Sequence, residues 1–146
     1  MITPATPEDA PALARILGDW VRETGWMPVL HSRDEDMGFL SHLIATRSVH
    51  VLRLPEAAGF LARDGGMIEA LYLAPQARGQ GYGRALLDQA KAAEPSLTLW
   101  TFAANTAARA FYAREGFAVA EETDGAGNEA RLPDLRLIWT ATESMP

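Results

Sequence analysis

The chain has no cysteine and a single lysine, Lys91, among its 146 residues. Without thiols, disulfides, thiolate metal sites and a cysteine nucleophile are all excluded. The absence suits a reducing cytosol, and a cytoplasmic location is the expectation. Long apolar runs are missing too. No stretch approaches the ~20 residues a membrane span needs. The N-terminal MITPATPEDAPALARIL has no basic stretch leading into an apolar one, so neither a signal peptide nor a membrane association is expected. Positive charge is scarce: the net charge is −6, which disfavours a broad nucleic-acid footprint while leaving room for a local arginine cluster that holds an anion. The three histidines, His31, His42 and His50, have no ligand-like spacing, so no metal is expected. His42 and His50 fit exposed or structural roles.

What is present suits one domain spanning 1–146, with 48% apolar residues and length enough for an unstapled core. Thr6 and Pro7 open a helix, with Asp9 at its positive end. Leu13, Ile16, Leu17, Trp20 and Val21 then recur at helical spacing. Gly25 and Pro28 break that pattern, and Ser32 with Glu35 forms a capping box for a second helix carrying Met37, Leu40, Leu43 and Ile44. Strand-like runs follow at 48–54, 58–64 and 67–74, punctuated by Pro55 and Gly65-Gly66. A glycine loop then leads into a helix with Leu86, Leu87 and Ala90 on one face. Another strand covers 96–102, and Asn105 caps a helix whose inner side carries Ala108, Phe111 and Tyr112. Strands at 116–122 and 135–141 finish the chain, separated by a polar stretch, 123–134, read as an exposed loop or hairpin end. The order is β-α-α-β-β-β-α-β-α-β-β, the first strand having no residues assigned to it. This predicts an α/β (α+β) fold, a mixed sheet with helices on its faces.

The loop ARGQGYGR, 77–84, places Gly79, Gly81 and Gly83 at alternate positions between a strand and a helix. Amides at a helix N-terminus favour an anion, glycine lets that anion come close, and Arg78 and Arg84 bracket the site with positive charge. A phosphate or pyrophosphate is the ligand this suggests. The spacing rules out a P-loop, since no Lys-Ser or Lys-Thr follows, and fits a dinucleotide fingerprint poorly. A glycine-rich turn that merely connects strand to helix is the plain alternative.

The segment LYLAPQARGQGYGRALLDQA resembles motif A of the GNAT superfamily of N-acetyltransferases, written Q/R-x-x-G-x-G/A, through Arg78, Gly81 and Gly83. NTAARAFYAREGF, 105–117, is similar to the family's motif B region. There an asparagine opens a helix, an aromatic pair follows, and Gly-Phe starts the next strand. The resemblance implies the GNAT acyl-CoA N-acyltransferase fold, a mostly antiparallel sheet of about six or seven strands flanked by about four helices. It also implies acetyl-CoA as co-substrate. The pyrophosphate would sit on Gly79, Gln80, Gly81, Tyr82, Gly83 and Arg84, and the pantetheine would pair with Leu71, Tyr72 and Leu73 like an added strand. Asn105 would bond the arm from the other side and Ala108 would leave it space. Arg109 would reach a phosphate, or is simply an exposed helix arginine.

By the same resemblance Tyr112 would protonate the departing thiolate, unless it is only a core aromatic beside Phe111. Glu69 is the candidate base; period-2 alternation sets it on one face with Leu71 and Leu73 if no bulge intervenes, and a solvated strand charge is the alternative. The acceptor side would be shaped by 24–36. There Trp26 and Met27 would form an apolar wall or pack inward, and His31 would act as base or acceptor contact or would orient a turn. The reaction implied is acetyl transfer to a primary amine of a small molecule or peptide by direct attack through a tetrahedral intermediate. A non-catalytic acyl-CoA sensor or partner-binding module on the same fold is the alternative, and a different phosphate-ligand enzyme is the third. The apolar strand LRLIWTA suits a homodimer contact or an internal place in the sheet.

Overall fold

The computed structural model describes residues 1–141. Its elements follow the order read from the sequence: β1 (Ile2–Pro4), α1 (Ala10–Glu23), α2 (Arg33–Thr46), β2 (Ser48–Arg53), β3 (Ala57–Asp64), β4 (Met67–Leu73), α3 (Tyr82–Ala93), β5 (Ser96–Phe102), α4 (Thr106–Arg114), β6 (Ala118–Thr123) and β7 (Asp134–Thr140). Most strand ends shift by one or two residues from those read in the sequence, and two differences have a clear physical cause. The first helix begins later, because Pro7–Asp9 forms a turn of 3₁₀ helix ahead of α1. Asp9 fixes that turn by accepting from the Thr6 amide at 2.8 Å and from Arg53 at 2.9 Å. The polar stretch between β6 and β7 is folded back on itself: buried Gly125, at φ 87°, lies against the Leu132 backbone, and Asn128 Nδ2 donates to Leu132 O at 2.7 Å.

The seven strands form one sheet in the order β1-β2-β3-β4-β5-β7-β6. Every neighbouring pair is antiparallel except β4 and β5. Strand β7 lies between β5 and β6, so LRLIWTA takes the internal place, with both backbone edges paired within the sheet. The alternation of the strands divides the core in two. Val49, Val51 and Phe60 face α1 and α2, meeting Leu13, Leu40 and Leu43. Leu52, Leu61, Leu97, Leu99, Leu135 and Leu137 face the other way, onto Leu86 and Leu87 of α3 and Tyr112 of α4. The same chain thus builds a two-sided sheet from period-2 strands and period-3.6 helices. The capping box read at Ser32 is present, the Glu35 amide donating to Ser32 Oγ at 3.1 Å and the Ser32 amide to Glu35 Oε1 at 2.9 Å. No helix among the described residues is long and apolar enough to cross a membrane.

Candidate active site

The site arises where the sheet fails to zip. Strands β4 and β5 pair only at Met67 with Thr98, and the Thr98 amide is bonded to Gly66 O at 2.8 Å. Beyond that point they splay. Residues 69–73 of β4 therefore keep one backbone edge without a partner strand, which leaves donors and acceptors in want of one. A cavity of about 650 Å³ fills the gap. Leu71, Leu73, Ala108 and Tyr112 line it from the α3/α4 side of the sheet, and Trp20, Tyr72, Trp100 and Phe102 from the other. The cavity thus passes through the sheet and can be entered from both faces.

At one end the glycine loop meets α3. Gly81 is the residue ahead of the helix, at φ 86° and ψ 4°, and Gly79 is also left-handed at φ 73°. A Cβ at either would meet nothing within 4 Å. Packing therefore does not demand glycine there; the backbone conformation does, and the space in front of the loop is free for a ligand. The first intrahelical bond is Ala85 N to Gly81 O, so the amides of Tyr82, Gly83 and Arg84 have no partner within the helix. Arg78 is held beside them, its Nε donating to Leu73 O at 3.0 Å and its Nη2 paired with Glu23 Oε1 at 2.6 Å. Arg84 and Arg114 stand with the three open amides at this end, where Glu115 also lines the cavity and lies 3.7 Å from Arg84 Nε. The combination fits a pyrophosphate.

Tyr112 lines the cavity, buried between Phe111 and Phe117 with ring centroids 5.1 and 5.4 Å away. Burial pushes its hydroxyl well above the ordinary phenol range, and the proximity of Tyr72 adds to this. Burial also pushes Tyr72 up to about 12. Both phenols are therefore protonated donors at neutral pH. Among the described residues no wholly buried side-chain nitrogen or oxygen lacks a hydrogen-bond partner.

Glu69 departs from the alternation read in the sequence. Ala62 pairs with Ala70 and Arg63 with Ile68, which leaves Glu69 as the extra residue of a β-bulge. The bulge interrupts the alternation that would set Glu69 on one face with Leu71 and Leu73. Its carboxylate lines the cavity and is gripped by Arg47, whose Nε lies 3.1 and 3.0 Å from its two oxygens.

On the second face an aromatic chain borders the cavity. Tyr72 packs on Trp20 at 5.3 Å, Trp20 on Trp26 at 5.9 Å, and Trp26 on Phe102 at 5.7 Å. The segment joining α1 and α2 is thereby fixed to the end of β5. Its far end is fixed as well: His31 Nε2 lies 2.6 Å from Glu129 Oε1 in the loop between β6 and β7. That carboxylate, with Glu35 at 3.6 Å from Nδ1, raises the His31 pKa above its ordinary value.

The structure brings together Leu71, Tyr72, Leu73, Arg78, Gly79, Gly81, Gly83, Arg84, Asn105, Ala108, Tyr112 and Glu69 around one cavity. Asn105 spends Oδ1 on capping α4, accepting from the Ala108 amide at 3.2 Å. Others stand apart. Arg109 faces a separate groove and donates to Ala103 O at 3.0 Å. Gln80 donates to Gln76 O at 2.7 Å, and Tyr82 packs against the α3-side core. Met27 sits in a turn, its amide 3.0 Å from Thr24 O, and His31 is occupied by Glu129 outside the cavity lining. The sequence reading passed over Trp20, Trp100, Phe102 and Glu115 as lining residues. A signal existed for two of them: with Leu97 and Leu99 facing the core, alternation places Trp100 and Phe102 on the opposite face.

A sequence profile for acetyltransferase (GNAT) domains matches residues 30–119. Over 86 residues the chain is 37% identical to the peptidyl-lysine N-acetyltransferase YjaB of Salmonella typhimurium strain LT2, the match covering 58% of this chain and 58% of that protein. The chain thus spans 58% of the length of the curated relatives it matches. In three dimensions it is similar to apo YjaB from Escherichia coli, with a TM-score of 0.78, 24% identity, and 97% of this chain and 98% of that one covered. It is also similar to yncA from Salmonella typhimurium, solved with acetyl-CoA, with a TM-score of 0.72, 20% identity, and 100% and 96% of the two chains covered. At those identities the two structures speak to the fold.

Proposed function

The chain belongs to the GNAT acetyltransferase family, and from that premise we propose that it moves the acetyl group of acetyl-CoA onto a primary amine, the side-chain amine of a lysine in a peptide or protein. The observation that carries this reading is the splayed edge of β4. It runs from the open amides at the start of α3 to the Tyr112 hydroxyl, within one cavity that crosses the sheet. The peptidyl-lysine acceptor is the class named for the matched YjaB proteins.

In this reading the pyrophosphate of acetyl-CoA rests on the amides of 82–84 and on Arg78, and the pantetheine amides pair with the free edge of β4. Ala108 leaves room beside that edge. The acetyl group then lies at the bulge, where the interrupted ladder leaves a backbone amide to receive the developing oxyanion. The acceptor amine enters from the aromatic side. Its nitrogen lone pair forms the new C–N bond at the thioester carbonyl, and the C–S bond breaks as the tetrahedral intermediate collapses. Tyr112 gives its proton to the departing thiolate. Glu69, held by Arg47, takes the proton from nitrogen through water, and Tyr112 is reprotonated from solvent. Glu69 is preferred to His31 as base because it lines the cavity and His31 does not.

Calorimetry with acetyl-CoA, CoA, ATP and NAD tests the donor site. Heat is expected with the two CoA species, and none with either would overturn the reading. Thiol release from acetyl-CoA in the presence of lysine peptides and a panel of small amines tests the reaction. CoA binding without release for any amine would leave an acyl-CoA-binding module instead.

A further inference from the structure

Strands β5 and β7 each have a second face. Opposite the residues packed on α3 and α4, β5 presents Trp100 and Phe102 and β7 presents Arg136 and Ile138. Helices α1 and α2 pack on β2, β3 and β4. Among the described residues no helix packs on this face of β5, β7 and β6 to the extent that α1 and α2 pack on β2, β3 and β4. Two large apolar side chains are consequently exposed there, Trp100 at 42% and Ile138 at 37%. They are near neighbours in the register, since Trp100 is opposite Arg136 and Thr98 opposite Ile138.

The segment between α1 and α2 borders the same face. It is pinned to β5 by Trp26 on Phe102 and to the β6–β7 loop by His31 on Glu129. Between these anchors run Val29 and Leu30, 54% and 42% exposed. An apolar strip therefore leads out of the cavity, which Trp100 and Phe102 both line, and onto the open sheet.

We infer that this face is the docking surface for the acceptor, and that it selects a lysine with an apolar or aromatic residue two or three positions away. The lysyl acceptor rests on the transferase reading above. The location rests on continuity: Trp100 belongs to both the cavity and the open face. An extended chain advances ~3.3 Å per residue, so a side chain two residues beyond a lysine inserted at Phe102 reaches Trp100. Charge agrees with the choice of a cationic peptide. The whole chain carries −6, while on the face itself Glu35 and Glu129 are paired with His31 and Glu121 with Arg136, so the attraction is the long-range field of the acidic protein. A second copy of this chain carries the same negative charge and is the poorer occupant.

Two fluorescent peptides of equal length with one lysine test this, one with leucine and one with serine at the second and third positions on both sides. Binding to the CoA-loaded protein is read by anisotropy, and CoA release from acetyl-CoA is followed in parallel. The leucine peptide is expected to bind about tenfold tighter and to show a correspondingly lower KM, as burial of an apolar side chain allows. Trp100→Ser and Ile138→Lys are each expected to bring the two peptides within about twofold. Ile138 is a surface residue, so its variant keeps the test open if Trp100→Ser fails to fold. Equal binding of the two peptides, or a preference that survives in Ile138→Lys, would overturn the surface. So would a dimer seen by sedimentation that Ile138→Lys dissociates. If peptide preference is present but no CoA is released, the surface stands and the transferase reading falls. If CoA is released from both peptides alike, the transferase reading stands and the surface falls.

Discussion

In the proposed reaction Tyr112 has two jobs at one position. Its ring is part of the core on the α3/α4 side, between Phe111 and Phe117, while its hydroxyl serves the cavity. Burial raises its pKa by disfavouring the phenolate, so the group holds its proton throughout the neutral range. A thiolate, whose conjugate acid ordinarily titrates at about 8.5, is a weaker base than this phenolate, so in the proposed reaction the hydroxyl acts first as a hydrogen-bond donor to the negative charge developing on the departing sulfur. Tyr112→Phe preserves the ring contacts and removes only the oxygen. It is expected to slow turnover about 100-fold, the lower range of general acid catalysis, with the dissociation constant of acetyl-CoA changed less than about twofold. Steady-state kinetics and calorimetry read the two effects separately. Unchanged turnover would return Tyr112 to a purely structural role. Glu69 offers the contrasting case: its carboxylate is exposed and paired, and the bulge rather than its side chain marks it out.

Among the elements, the start of α3 has a backbone requirement that packing does not impose. Gly81 is left-handed and faces open space. Gly81→Ala is expected to cost about 1 kcal/mol of stability from the unfavourable left-handed backbone, measured by urea unfolding. It should also weaken acetyl-CoA binding at least about tenfold, because the new methyl projects where the phosphate must approach the amides. Loss of stability without loss of binding would mean that the pyrophosphate lies elsewhere. This loop was legible in the sequence because its signal is local: glycine spacing, an adjacent arginine and a following helix are all contiguous. Asn105 was legible for the same reason, as a cap four residues ahead of Arg109. The bulge at Glu69 was not, since it depends on how Ala62 and Arg63 pair across β3, which no pattern within β4 encodes. The aromatic chain from Tyr72 to Phe102 joins four elements distant in sequence. Trp20 was read only as part of a helix stripe because its neighbours Trp26 and Tyr72 become visible in space alone.

At the scale of the molecule, the two sides of the acceptor face belong to opposite ends of the chain, and one side-chain bond joins them. His31 and Glu129 are separated by 98 residues and meet at 2.6 Å. Arg22 supports the arrangement from α1, its Nη2 donating to His31 O at 3.3 Å and its Nη1 lying 3.6 Å from Asp36. The carboxylates of Glu129 and Glu35 raise the folded-state pKa of His31 above 6.5. The ionic part of the bond is therefore complete below an unfolded-state pKa of about 6.5 and is lost as pH rises through the higher folded value. Raising the pH across that window should free the segment carrying Val29 and Leu30 from the β6–β7 loop while the sheet stays intact. An NMR titration of the His31 ring follows this directly. Glu129→Gln removes the larger cause and is expected to move the midpoint down toward 6.5, with Glu35 keeping it from reaching that value. Amide exchange in residues 24–32 should then become faster at neutral pH in the variant, with β5 and β7 unaffected. A midpoint indifferent to Glu129→Gln would mean that the two loops are not held together by this bond in solution, and the face between them would be open at every pH.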